Sequence, residues 1–155
     1  KFVKKDLKKN ISDYLSTEVV DEAHYISSEV LTAIQEGDTS NLSKIVPNAS
    51  LNNCLDLETH ERSAYIVVAI YENSLSSVKH FVESGADIEH ICENKTPLMS
   101  AAKYGRLETV KYLIEQGAVI ERKSIKGKTA LSYAFQYKRP EVAAYIKDQI
   151  AKSTH

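Results

Sequence analysis

The chain contains no tryptophan, one methionine, two cysteines, three prolines and only five glycines in 155 residues. Each scarcity excludes something. The two cysteines, Cys54 and Cys92, form no CxxC pair, which argues against a disulfide framework or a thiolate zinc site and fits a reducing compartment. So few glycines leave no GxGxxG, GxxxxGK[ST] or GxSxG loop, the motifs that cradle phosphates or expose a nucleophile. The histidines, His24, His60, His80, His90 and His155, show neither HExxH nor HxxxH spacing. They read as scattered surface or hairpin residues, with no metal expected. Cys54 near His60 is the one nucleophile–base candidate, and it lacks a third group to hold the base. Acidic pairs such as Asp56 and Glu58 read as solvated charges. No catalytic residue, no cofactor and no enzyme activity is therefore expected. No apolar run approaches the ~20 residues a bilayer span needs; the longest is Ala64–Tyr71. The chain begins at Lys1 instead of Met, so it reads as a piece of a longer protein whose targeting signals are out of view.

What is present is an ordinary globular balance, 43% hydrophobic and 26% charged. The net charge of −1 conceals segregation. Five lysines give residues 1–9 a net +4, residues 10–93 carry −12, and residues 94–155 carry +7. Partners therefore meet a field that changes sign along the chain.

The organising feature is a repeat. Lys95–Ala118 recurs 33 residues later, so that Thr96 falls on Thr129, Leu98 on Leu131, Ala101 on Ala134, Glu108 on Glu141 and Leu113 on Ile146. An upstream copy lies at an offset of 32, with Gly85-Ala86-Asp87-Ile88-Glu89 matching Gly117-Ala118-Val119-Ile120-Glu121 and Ala69 matching Ala101. A fourth, degenerate copy starts near Ser28, with Val30, Ala33 and Gly37 in the places of Leu98, Ala101 and Gly105. Three or more copies at such a period indicate a solenoid. Each copy reads as two short antiparallel helices. Thr96 is an N-cap type and Pro97 suits a first helical position. Gly105 suits a left-handed helix end. Val110, Leu113 and Ile114 make the apolar stripe of the second helix. Residues 118–128 read as a hairpin or turn to the next unit. Residues 46–58, with Pro47, Asn48, Asn52 and Asn53, read as an irregular connector, so the N-terminal half is expected to be the less regular one.

The pattern T-P-L-x-x-A-A-x-x-G, then L-E-x-V-x-x-L-I-x-x-G-A, resembles the ankyrin repeat. The resemblance is good over 92–124, moderate over 60–91 and 125–150, and weak over 26–59. It implies an all-α solenoid of about four units, divided near 26–59, 60–91, 92–124 and 125–155, with an N-terminal helical cap over 1–25. The family's TPLH histidine is replaced by Val67, Met99 and Ser132, so the usual Thr–His hydrogen-bonded turn is expected to be absent. Degenerate ankyrin-like repeats in a chain rich in Lys, Ile, Ser, Asn and Tyr also resemble those of bacterial effectors. That implies a cytoplasmic protein, or one secreted into a host cytosol.

Family likeness further implies binding of a partner protein or peptide on the concave side, through hairpin tips and first helices. Carried onto this chain, the hairpin positions are His60, Glu61 and Ser63, then Cys92, Glu93 and Lys95, then Ile125, Lys126 and Lys128. The helix-end positions are Gln35 and Glu36, Tyr71 and Glu72, Lys103 and Tyr104, and Gln136 and Tyr137. Tyr71, Tyr104 and Tyr137 recur at a spacing of 33 and should form a row. Tyrosine suits hot spots because it buries much area at small entropic cost. Lys95, Lys103, Lys126 and Lys128 flank the row on one side, and Glu61, Glu72 and Glu93 on the other. A peptide with an acidic patch would complement the basic end. Two rival readings remain. One is nucleic-acid or anionic-membrane binding by the basic C-terminal half and the Lys1–Lys9 arm. The other is an accessory, substrate-presenting domain of a larger enzyme.

Overall fold

The computed structural model describes residues 25–57 and 61–153. The cap expected over 1–25 lies, apart from Tyr25, outside the described residues. Eight α-helices among the described residues form four antiparallel pairs. They are α1 (Ser28–Glu36) with α2 (Thr39–Ile45), α3 (Tyr65–Tyr71) with α4 (Leu75–Glu83), α5 (Pro97–Tyr104) with α6 (Leu107–Glu115), and α7 (Ala130–Gln136) with α8 (Pro140–Ser153). First helices stack on first helices (α3 on α5 on α7), and second helices stack in a second layer (α2, α4, α6, α8). The contact between α1 and α3 is sparser than the others in its layer.

The core runs the length of the stack. Ala33, Ala69, Ala101 and Ala134, the recurring small residue, are all buried, which lets first helices approach closely. Around them Ile34, Ile66, Ile70, Leu98 and Met99 fill the first layer, and Leu42, Val78, Phe81, Val110, Leu113 and Ile146 fill the second. Each fully buried side chain of this size stabilises by about 1.5–3 kcal/mol. Ile114, expected in the apolar stripe, is only half-buried; Thr109, one turn before Leu113, is buried instead, as Ser77 is one repeat earlier.

Two expectations need correcting. The reciprocal turn at the helix start persists without histidine. In α5 the Met99 backbone N–H donates to Thr96 Oγ1 at 3.2 Å, and the Thr96 N–H points back at Met99 Sδ at 3.4 Å. In α7 the Ser132 N–H donates to Thr129 Oγ1 at 3.2 Å and the Thr129 N–H to Ser132 Oγ at 3.3 Å. A thioether and a hydroxyl, both acceptors, fill the role of the imidazole. Of the four first helices only α3, which starts after Ala64, has no side-chain cap. In α1 the capping residue is Ser27, not Ser28, and accepts from Val30 N–H at 3.2 Å.

The second correction concerns residues 46–58. The segment contains a 3₁₀ turn at Asn48–Ser50 and then a two-residue strand, β1 (Leu55–Asp56), paired antiparallel with β2 (Arg62–Ser63). Leu51, Leu55 and Leu57 are buried. The connector is thus part of the core, and Asp56 ion-pairs with Arg62 at 3.1 Å instead of being merely solvated. The later loops, between α4 and α5 and between α6 and α7, are turns without strands.

The repeats are also joined end to end. Arg106 Nε donates to Ile70 O at 3.1 Å and its Nη2 to Tyr71 O at 2.6 Å, capping the C-terminus of α3. One repeat on, Arg139 Nε donates to Lys103 O at 3.0 Å at the end of α5. One repeat back, Ser77 Oγ donates to Ile34 O at 3.0 Å. Gly105 has φ +70°, and a Cβ there would come within 2.8 Å of Arg139 Cδ. Lys138 occupies the same left-handed place with φ 56°.

These contacts set stability directly. Arg106→Ala removes both side-chain bonds to the end of α3, leaving the Ile70 carbonyl its bond from the Asn73 N–H, and should cost about 1–3 kcal/mol. Gly105→Ala should cost at least about 1 kcal/mol, through strain at positive φ and the encounter with Arg139. Lys138→Gly should gain up to about 1 kcal/mol by relieving the same strain. Urea denaturation followed by circular dichroism checks all three, and an unchanged Arg106→Ala midpoint would remove the capping argument.

Candidate functional site

The candidate binding face is built from the ends of α3, α5 and α7 and from the loops before them. Tyr71 is the last residue of α3 and Tyr104 the last of α5. Their rings meet edge to face, with centroids 5.1 Å apart. Tyr137 follows α7 and stacks on Tyr133 at 6.4 Å. The Lys103 ammonium lies between, 5.3 Å from the Tyr104 ring and 5.1 Å from the Tyr137 ring. The three tyrosines thus follow one another, but in two registers. Tyr71 stands two positions before the left-handed residue Asn73, whereas Tyr104 and Tyr137 stand one before Gly105 and Lys138. Tyr71 therefore leans onto Tyr104 directly, and Lys103 bridges the next gap.

Tyr71 and Tyr104 line a shallow depression with Glu61, Arg62, His90, Glu93 and Lys95. Desolvation pushes the Tyr104 phenol above the ordinary tyrosine range, Lys103 opposes the shift, and Glu61 adds to it. The phenol stays a neutral donor at physiological pH. Acidic Glu93 and basic Lys95 border the same depression, so opposite charges meet here and are not confined to opposite ends. Glu72 turns towards the first repeat and accepts from Gln35 Nε2 at 3.1 Å. Lys128 donates to Gln136 and lies over the Tyr133 ring at 5.7 Å. Lys126 is exposed beside Gly127 at the tip of the last loop. Beside Lys126, Ile125 is 83% exposed, and on α7 Phe135 is 54% exposed with the Lys147 ammonium 4.8 Å from its ring.

Sequence reasoning did not foresee what borders this depression. Cys54 and Cys92, 38 residues apart, are joined as a disulfide, with Cα atoms 5.4 Å apart. This corrects the expectation of two unrelated thiols. His90 Nε2 lies 3.6 Å from Cys54 Sγ, so His90, not His60, is the histidine beside that sulfur. His60 lies outside the described residues. The H-x-C spacing of His90 and Cys92 was the signal available, although Cys54 reaches it only through the fold. Asn94, on the same loop, donates to the Tyr133 hydroxyl at 3.2 Å while its own Oδ1 is buried without a partner.

Six of the twelve basic residues of the C-terminal half, Lys128 among them, make hydrogen bonds or ion pairs within the chain. Arg106 and Arg139 cap helices, and Arg122 pairs with Glu89 at 3.1 Å. Lys111 pairs with Glu108 at 3.5 Å and Lys152 with Asp148 at 3.0 Å. Among the described residues no helix is long and apolar enough to cross a membrane.

Comparison with known proteins places this architecture. Residues 65–154, the last three helix pairs, match the family model described as ankyrin repeats in three copies. A Caenorhabditis elegans homolog of transient receptor potential cation channel subfamily A member 1 is 37% identical over 49% of this chain and 6% of its own length. Human ankyrin repeat and SOCS box protein 11 is 26% identical over 80% of this chain and 38% of its own length. The palmitoyltransferase AKR1 of the yeast Lachancea kluyveri is 30% identical over 67% of this chain and 14% of its own length. The chain thus spans well under half of each relative, and these relatives carry no argument for a bacterial source. Ankyrin repeats are protein-interaction modules and not catalytic domains. With the family model covering more than half of its length and the stacked helix pairs behind it, the chain belongs to the ankyrin-repeat family.

Proposed function

We propose that the concave face binds a partner protein or peptide along Tyr71, Tyr104 and Tyr137, with Lys95, Lys103, Lys126, Lys128 and Gln136 contacting an acidic stretch of the partner and Glu72 and Glu93 contacting basic groups beside it. One observation carries this reading: two half-buried tyrosines in edge contact border a depression flanked by both charge signs. Rings held by neighbours lose little freedom on binding, so burying them further costs little entropy. Lys103, half-buried between two rings, is placed to exchange a cation–π contact for a carboxylate. We assign the chain no catalytic role of its own and infer a cytoplasmic setting. The yeast palmitoyltransferase relative favours a second reading, in which such a segment presents a partner to a catalytic domain elsewhere in a longer protein.

Nucleic-acid binding is the weaker alternative, because so many of the basic groups already serve internal carbonyls and carboxylates. A salt-titrated electrophoretic shift should show no complex at low salt with RNA or DNA.

The groove is tested by selecting ligands from a random peptide library on the folded chain. Acid-containing peptides should dominate. Their affinity should fall about tenfold or more for Tyr104→Ala and for Lys103→Ala, which is the scale of hot-spot truncation. The Tyr71/Tyr104/Tyr137→Ala triple variant, shown folded by circular dichroism, should bind none of them. Equal binding by the folded triple variant would show that the groove is elsewhere.

A further inference from the structure

We propose that Cys54, His90 and Cys92, once the sulfurs are reduced, form a thiolate–imidazole site for one zinc-class divalent ion. The three donor atoms lie within 4.8 Å of one another. Ligands at zinc's usual bond lengths, about 2.3 Å for sulfur and 2.0–2.1 Å for nitrogen, sit roughly 3.5–3.8 Å apart on a tetrahedron. The Cys54 Sγ to His90 Nε2 distance is already 3.6 Å. The two cysteine backbones, 5.4 Å apart at Cα, leave the sulfurs room to part by side-chain rotation alone.

The loops that carry these donors are held by contacts that do not involve the sulfurs. Leu55, next to Cys54, is fully buried. Arg62 Nη2 donates to the Cys54 carbonyl at 3.2 Å. The Asp87 N–H, at the base of the second loop, donates to Asn52 Oδ1 at 2.9 Å. The His90 N–H closes a turn onto Asp87 O at 3.2 Å. A donor set fixed this way is partly pre-organised, which lowers the ordering cost of capturing an ion. All three side chains are half-exposed, so an ion can reach them. Three protein ligands leave the fourth position to water.

The chemistry balances in two steps. An external dithiol reduces the Cys54–Cys92 bond by exchange, yielding two thiols here and a disulfide on the reductant. The ion then binds both sulfurs and the imidazole and displaces two protons. A reducing compartment would keep the pair in this second form. The site borders the tyrosine depression but does not depend on that surface binding anything.

Cobalt(II) titration of the full chain is the test. Reduced with a non-coordinating phosphine, the protein should bind one cobalt per chain with the visible bands of a tetrahedral thiolate complex, and one equivalent of zinc should displace it. The disulfide form should bind none until treated with dithiol. Cys54→Ser and Cys92→Ser should each abolish the thiolate bands. His90→Ala leaves both sulfurs and the cross-link in place, and should weaken cobalt binding at least about tenfold. Circular dichroism confirms that each variant is folded. Reduced, folded wild type without tetrahedral bands would overturn the site and leave only a cross-link. Equal cobalt affinity in His90→Ala would overturn the assignment of the imidazole.

Discussion

A short helix leaves its last carbonyls without partners, and in this stack those carbonyls point at the neighbouring repeat. Their satisfaction is the constraint on which the rest depends. The guanidinium of Arg106 serves α3, that of Arg139 serves α5, and the Ser77 hydroxyl serves α1. Each donor belongs to the following unit, so the ends of α1, α3 and α5 gain their side-chain donors only when the next unit is in place. The left-handed residue at Gly105 matters for the same reason. It turns the chain and clears the path by which Arg139 reaches back. Apolar burial supplies most of the stability, but these bonds fix how far one repeat is rotated and shifted against the next.

That geometry decides what the concave face can be. Because Arg106 holds the last carbonyls of α3, the terminal residue Tyr71 is presented towards α5 and meets Tyr104. Capping and the aromatic pair are one arrangement viewed from two sides. The charges follow the same logic. Arginines are drawn into the joints, while lysines such as Lys103 and Lys128 remain on the groove side and lie over tyrosine rings. Half of the basic groups of the C-terminal half are thus bonded within the chain, which is why composition alone overstates its appeal to polyanions.

The helices and their order were legible because 32- and 33-residue offsets align residues whose roles are local: caps, small contact residues, helix-ending glycines. Thr96, Ala101 and Gly105 each announce a role by type. What escaped was chemistry that depends on substitution or on distance. Met99 and Ser132 did not look like replacements for histidine, because a thioether and a hydroxyl share with imidazole only the ability to accept. Leu51, Leu55 and Leu57 were hidden among asparagines in a segment without helical period, yet alternation at Leu55 and Leu57 is what a short strand requires. The Cys54, His90 and Cys92 group was out of reach, since the unusual length of the first loop is what carries Cys54 across to the next one. Among the tyrosines a spacing of 33 suggested strict equivalence, whereas an offset of 32 between the second and third units shifts Tyr71 by one place.

The sparse contact between α1 and α3 sets the first repeat apart from the others. It is attached by the Ser77 and Glu72 bonds to the end of α1, by the packing of α2 on α4, and by the links from Asn52 and Cys54 to the following loop. The spacing of Tyr71 and Tyr104 is therefore set wholly within the last three units, whereas the placement of Gln35 beside the groove rests on the few discrete bonds that cross this joint.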